Sequence, residues 1–585
     1  MPTPEKFREL YDGESLYQRL ERMRGALDYE RSGFIDHYKV IADVLCPRRP
    51  RFYQEQNQQR GQRVNHKILD NTATLAWRVF RSGFMAANTS PASPWFRLTL
   101  ENLKLAEFES VKLWLYEVTN LMRTIFVKSN LYKSMPSVYG DLGAFGTPAM
   151  LVEEDFEDVI RTYVFPVGSF MIAQDDRGKV NTFFREFTMT VSEIVAKFGR
   201  PDGRHRPIDW TNISEAVKTL WQSGDRQVRV YVCHAILPND AWDPQMAGSE
   251  YKQFLSVYYE KGSDGSGAQY ERQSGDGEKY LRISGYDYFP VLCPRWEVSG
   301  EDVYSTNCPG MEALGDTRQL QKGESKALVA INKMVDPPVN VPTGMENDVI
   351  TLLPGDRNFV PDNSQGVRPV HEVVFDLKKH DERQERCRER INETWYKNLF
   401  ISLLDSTRRQ MTAREVEERH QEKLLAVGPV LASIETDFLA PLIDITFAIM
   451  ERQGLLPEPP EEIQGMDLKV EFISIMAQAA KLAAGGNIER FLLTVAEIVK
   501  AKPEAGDKLD FDNTIDALAE VYSVPPDIVI SDEKVALIRE ARAELQARQE
   551  SVLQAQAAAK AAKDLSGAKM GEDTALDRVL EEAPA

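Results

Sequence analysis

Leu16, Leu20, Met23 and Leu27 recur at helical spacing, and Ile35, Tyr38, Ile41 and Leu45 do the same further on, so residues 14–46 read as helical. A loop rich in Arg, Gln and Asn follows at 47–66. Residues 67–88 and 103–134 read as two further helices, and Gly140, Gly143 and Gly146 in the next stretch mark turns or close backbone packing. From 151 to 300 the period changes. Runs such as TYVFPVGSFMIAQ, VNTFFREFTM and VRVYVCHAIL are rich in β-branched and aromatic residues and read as strands, with one short helix at 191–198. The Gly/Ser-rich segment 262–277 reads as a hairpin loop. After 311 the helical period returns. A helix over 312–335 is stopped by Asp336-Pro337-Pro338, because proline has no N–H and restricts the residue before it. A Pro/Gly/Asn-rich insert with strand-like runs occupies 337–370, and helix resumes over about 371–398. After a break at 399–411, Thr412 and Glu415 form a capping box that opens a long helix to about Arg452, with a kink expected at Gly428-Pro429. Residues 470–530 read as several short helices. Beyond Ser531, Ile538, Leu545, Val552 and Ala559 recur every seven residues on a long, weakly coiled-coil-like helix. The pattern as a whole predicts an α+β chain, mainly helical.

A chain of 585 residues suggests about four structural regions at roughly 150 residues each. No run of about 18 apolar residues is present, so no membrane span is expected, and the charged start MPTPEKFRELYDGE does not read as a secretory signal. The five cysteines are scattered and never spaced as CxxC, which favours reduced thiols and no zinc site. Cys233-His234 is the nearest thing to a ligand pair, but neighbours on a strand point to opposite faces. Glu153-Glu154-Asp155 reads as a solvated turn before it reads as a Mg²⁺ site. There is no HExxH, GxSxG or Walker motif, and GSDGSG lacks the strand and helix that a phosphate cradle needs. No catalytic residue, cofactor or metal is expected. The net charge of −19 is not that of a protein gripping DNA for affinity: either DNA is irrelevant, or it passes without sticking.

Several blocks of the chain resemble, in order, the portal (head-to-tail connector) proteins of T7-like short-tailed bacteriophages. They are YQRLERMRGALDYERSGFIDHYKVIADVLCP, WRVFRSGFMAANTSPASPWFRLTL, SVYGDLGAFGTPAMLVEED, RRQMTAREVEERHQE with ETDFLAPLIDITFAIMERQGLLP behind it, and PPDIVISDEKVALIREARAE. The resemblance implies a portal fold in a twelve-subunit ring. Residues 1–311 form a wing, with its β-rich part at 151–300, and 312–336 and 371–398 are the two stem helices. The clip is 337–370, the channel loop 399–411, and a long kinked wing helix spans 412–453. A crown at 454–530, a barrel helix at 531–570 and a disordered acidic tail at 571–585 complete the map. The implied role is a DNA channel at the capsid portal vertex for packaging and ejection, assembled in the host cytoplasm. Implied partners are the capsid protein, the terminase, a tail adaptor and internal core proteins, with no membrane. Other structural roles, as coat or scaffold, and a metal-dependent nuclease are the alternatives.

Within that frame two sets of residues are candidates for lining the channel. Lys322, Lys326 and Lys333 share one stripe of the first stem helix, apart from Leu328, Ile331 and Val335. They read either as a DNA-facing stripe or as a solvated helix face with Glu partners. Arg408 and Arg409 lie in the channel loop, where they are either phosphate contacts without base reading or ordinary loop arginines. Twelve copies would carry about −228, twelve times −19, so few and weak DNA contacts without sequence specificity are expected.

Overall fold

The computed structural model describes residues 14–52, 65–100, 108–200, 207–246, 248–261, 279–341, 351, 368–369, 376–405, 428–463, 468–473, 495, 514–515 and 532–567. Two compact units divide the chain, one built from 1–99, 115–459 and 467–484, the other from 100–114, 460–466 and 485–585.

In the first unit, α1 (Leu16–Leu45) is one continuous helix opened by a capping box between Ser15 and Gln18. Next come α2 (Thr72–Asn88), β1 (Phe96–Leu100), α3 (Glu109–Lys128) and α4 (Leu131–Phe145), of which Leu100 and residues 109–114 belong to the second unit. The expected single helix over 103–134 is therefore two, and the glycine stretch is helix α4, not turns. Its glycines serve close packing. A Cβ at Gly143 would lie 2.5 Å from the Phe80 ring, and Gly146 ends the helix in the left-handed region at φ 78°.

The β-rich part follows as β2 (Ala149–Asp155), β3 (Val159–Phe165), β4 (Phe170–Gln174), β5 (Val180–Thr190), α5 (Val191–Phe198), α6 (Glu215–Ser223), β6 (Arg229–Pro238), β7 (Phe254–Glu260), β8 (Arg282–Tyr286) and β9 (Val291–Leu292). Helix α5 falls where the sequence places it. Helix α6, capped by Ser214, was not expected, because only Val217 of it is fully buried and its apolar signal is short. Strands β4-β5-β6-β7-β8 form an antiparallel meander, and β3-β2-β9 form a second sheet. One face of the meander packs on Leu16, Leu20 and Leu27 of α1 through Cys233, Ala235 and Leu255. Another core joins the two sheets through Phe165, Phe170, Phe183 and Ile236. The predicted hairpin loop at 262–277 lies outside the described residues.

After a helical turn at Pro309–Glu312, the chain forms α7 (Leu314–Val335), β10 (Val339–Asn340), β11 (Arg368–Pro369), α8 (Leu377–Thr394) and α9 (Lys397–Asp405). The predicted break at 399–411 is overturned in its first half. Residues 397–405 are helical because Leu399 and Phe400 are buried, which pins the segment to the core. Residues 406–427, with the capping box and the first turn before Gly428-Pro429, lie outside the described residues. From 428 the chain is helical, widens to a π-turn at Glu435–Leu439 and continues as α10 (Ala440–Arg452). The irregularity thus sits immediately before Pro441, whose missing N–H leaves a ladder position unfilled. Inside the predicted crown, β12 (Leu468–Phe472) is a strand, not a helix. It pairs with β1, with Ile473 N–H donating to Trp95 O at 2.9 Å and Arg97 bridging Glu471 at 2.6 Å.

In the second unit, α11 (Asp532–Gly567) is a helix of 36 residues, and Ile538, Leu545 and Val552 are exposed along it.

Candidate channel wall

Helix α8 reads LKKHDERQERCRERINET, and only Gln384, Cys387 and Ile391 on it are buried. That i, i+3, i+7 line is too thin a stripe to hold a helix in water by itself. It is held against α7. Arg390 donates two hydrogen bonds to Asp316, at 3.0 and 2.6 Å, Gln319 Nε2 donates to Cys387 Sγ at 3.3 Å, and Arg388 donates to Glu324 at 3.1 Å. A Cβ at Gly323 would stand 1.9 Å from Gln384 Nε2, so the two backbones approach as closely as that glycine allows. Positions rise on α7 as they fall on α8: the helices are antiparallel. The same sense continues into the insert, where Val339 pairs with Pro369 and Asn340 with Arg368. The insert therefore leaves and rejoins the helix pair at one place.

The pair is clipped to the N-terminus of α2. Gln321 Oε1 accepts from Leu69 N–H at 2.6 Å and Asp70 N–H at 3.0 Å, while its Nε2 donates to Asp70 O at 2.6 Å. Asp70 accepts from Arg388 Nε at 3.0 Å and from Thr72 N–H at 2.7 Å. Burial pushes the Asp70 carboxyl up, but the bonds from Thr72 and Arg388 outweigh it and hold it below the usual range. Beyond α8, Trp395 is fully buried against Phe80, and Tyr396 turns the chain in the left-handed region at φ 52°. Phe400 of α9 then packs on Gly83, where a Cβ would meet its own Cβ at 2.5 Å. The residues that lead into 406–427 thus stand on a rigid aromatic base.

Lys322, Lys326 and Lys333 are all exposed, on the side of α7 away from its buried Thr317, Leu320, Gln321 and Ala327. None of the three makes an ion pair among the described residues. Glu324 and Glu385 are both paired with Arg388. Arg318, exposed one turn before Lys322, extends the stripe; its i−4 spacing was readable in the sequence. The apolar stripe is not core: Val335 is 80% exposed and Leu328 51%, with Ile331 half-buried. Arg408 and Arg409 lie outside the described residues. The clip through Asp70, Gln321 and Arg388 had no local signal, since its partners are some 250 and 318 positions apart.

Other candidates for chemistry disperse. Strand β6 sends Cys233 into the α1 core and His234 to the opposite face, against Tyr258. Glu153 accepts from Tyr286, Glu154 from Gln453 and Asp155 from Arg161, so the acidic triplet does not converge. Among the described residues no three His, Cys, Asp or Glu side chains gather as metal ligands, and no helix is long and apolar enough to cross a membrane.

Comparison with known proteins identifies the family. The sequence profile of the bacteriophage head to tail connecting protein family matches residues 17–529. The portal protein of Salmonella phage epsilon15 is 39% identical over 570 residues, 97% of this chain and 98% of that protein. A probable portal protein of Bordetella phage BPP-1 is 41% identical over 542 residues, 92% of this chain and 93% of its own. With a profile across most of its length and relatives of this identity end to end, the chain belongs to the bacteriophage head to tail connecting protein family, the family of portal proteins.

Proposed function

We propose that twelve copies of this chain close into a ring around a channel for double-stranded DNA, through which the genome is packaged and ejected. The family is structural and non-enzymatic, and its name ties it to the junction of head and tail. On this reading α7 and α8 are the stem, 337–370 the clip that docks the terminase and later the tail adaptor, and 406–411 what remains of the channel loop. Residues 1–311 with α10 are the wing, 454–530 the crown beside internal core proteins, and α11 a barrel stave. The ring sits at the portal vertex of the capsid after assembly in the host cytoplasm. Lys322, Lys326 and Lys333 line the channel, with Arg408 and Arg409 at its loop.

The observation that carries the reading is the antiparallel α7–α8 pair with an exposed cationic stripe on its outer side. Repeated about an axis through head-to-tail contacts, such a pair makes a continuous tube wall. Exposed apolar side chains on α7 (Leu328, Val329, Met334 and Val335) and the Ile538, Leu545 and Val552 seam of α11 would be covered by the neighbouring copy.

Negative-stain electron microscopy of the purified chain tests this. Closed rings with a central hole are expected; shells, filaments or monomers at micromolar concentration would refute it. Replacing Lys322, Lys326 and Lys333 together by Glu should leave the rings intact and depress DNA packaging. Packaging at the unmodified level would remove these residues from the channel.

A further inference from the structure

Away from the helix pair, the five-stranded sheet carries a line of charged and aromatic residues whose hydrogen-bonding capacity the chain does not fill. Arg185 of β5 stands opposite His234 of β6, His234 opposite Tyr258 of β7, and Tyr258 opposite Arg282 of β8. Directly opposed residues share a face, so the four form one row across four strands. His234 is fully buried and stacks flat on Tyr258, with ring centroids 3.8 Å apart and 8° between planes. Its Nε2 lies 3.0 Å from Ser256 Oγ, but its Nδ1 is sealed from solvent with no hydrogen-bond partner. The Arg185 guanidinium sits between Phe165 and Phe187, 4.5 and 4.3 Å from their ring centroids. It makes no ion pair or hydrogen bond among the described residues, and its Nε is buried without an acceptor. Lys197 of α5 reaches over the Tyr258 ring at 4.9 Å. Lys197 and Arg282 are exposed and mark the open side of the row.

Two aromatic faces soften the cost of placing Arg185 here but do not supply acceptors for its five N–H groups. Among the described residues the acid that acts on this row is Glu153, to which the Tyr286 hydroxyl donates at 3.4 Å. Burial, with Arg185, Lys197 and Arg282 around it, drives the His234 imidazole well below its ordinary value, so it stays neutral. Among the described residues, three cations against one carboxylate leave an excess of two positive charges on this row, in a chain whose net charge is −19.

We infer that this row binds a dianionic phosphate group, entering from the side of Lys197 and Arg282. The charge count selects the ligand. A phosphate carries about −1.5 to −2 near neutral pH, which matches the excess of two. A carboxylate or a phosphodiester carries one charge and leaves a cation unpaired. The planar fork of Arg185 suits tetrahedral oxygens, and the walls of Phe165 and Phe187 strengthen the attraction by excluding water.

The test is titration of the full-length protein with inorganic phosphate at constant ionic strength set with chloride, followed by calorimetry and by ³¹P line width. Saturable binding is expected. Arg282→Gln and Lys197→Gln, both at exposed positions, should each weaken it about tenfold, as loss of one charge-assisted contact does, with unchanged melting in chloride. Arg185→Gln should abolish it. Absence of saturable phosphate binding, or full retention by both exposed variants, overturns the proposal. Displacement of bound phosphate by short duplex DNA at comparable phosphate concentration overturns the assignment to a dianion.

Discussion

Replacing Gln321 by alanine removes three hydrogen bonds at one point. The side chain is buried, and the groups it leaves behind are the N–H of Leu69, the N–H of Asp70 and the carbonyl of Asp70. Each neutral bond is worth about 1 kcal/mol net, so the clip loses about 3 kcal/mol, and more if no water reaches the abandoned backbone groups. At 1.4 kcal/mol per tenfold, opening of α7 from the N-terminus of α2 becomes roughly a hundredfold more frequent. Global melting is a poor readout, because a 585-residue chain in two units does not unfold in one step. Hydrogen exchange followed by mass spectrometry, on peptides covering 65–72 and 314–335, reads the local opening directly. Gln319→Ala is the control, since that side chain donates only a weak bond to Cys387 Sγ at 3.3 Å. Faster exchange in both peptides for Gln321→Ala, with less than a tenfold change for the control, is the expected result. Equal exchange in the two variants would refute the claim that Gln321 anchors the wall.

Asp70 has a folded pKa below its unfolded value, so its contribution is complete above about pH 3.9 and is lost as pH falls through the folded value. Exchange protection of α7 and α8 should therefore fall on acidification below about pH 4, and Asp70→Asn should flatten that dependence at a cost of about 1.5–3 kcal/mol at pH 7. Gly83→Ala forces its Cβ to 2.5 Å from that of Phe400 and should destabilise by about 1–3 kcal/mol, lowering the urea midpoint of the first unit. Gly25→Ala, with nothing within 4 Å on an exposed stretch of α1, should stabilise the unit by up to about 1 kcal/mol and raise that midpoint; a shift of the same sign in both would discredit the packing argument. Aspartate at Ile538, Leu545 and Val552 together should reduce the yield of covalently cross-linked oligomers, and an unchanged yield would mean that α11 does not associate along that seam.

The helical framework was legible because its elements are long and strongly periodic. Leu16, Leu20 and Leu27 announce α1, and the Asp336-Pro337-Pro338 stop at the end of α7 follows from proline chemistry. Errors fell where tertiary contact decides. Leu399 and Phe400 read as part of a loop until Gly83 is seen beneath them, since a short apolar run carries no period of its own. Strand β12 is five residues paired with β1 more than 360 positions away, and no local pattern encodes such a partner. The π-turn at Glu435–Leu439 was not read because Pro441 lies inside an apolar run, and the kink expected at Gly428-Pro429 adjoins residues outside those described. Of the candidate wall residues, the lysine stripe is where the spacing puts it, whereas the Asp70–Gln321–Arg388 clip depends on folding alone.

At Lys322 and Lys326, though not at Lys333 with Asp336 three positions on, the stripe differs from an ordinary solvated helix face in its neighbours. A surface helix gains from acidic residues three or four positions from its lysines. Around Lys322 those positions hold Arg318, Gln319, Ser325 and Lys326; around Lys326 they hold Lys322, Gly323, Val329 and Ala330. Arg318, Lys322 and Lys326 thus repel one another at i, i+4 spacing, and Glu324, two positions from each lysine, points instead toward Arg388. In a chain with 90 acidic residues against 71 basic ones, such a stripe is a local cost that the isolated helix never recovers. Under the proposed function, a polyanion moving past it would recover that cost at every copy without any base being read. The chain's net charge of −19 would then keep the total attraction small, as passage would require, because each phosphate held firmly would have to be released again.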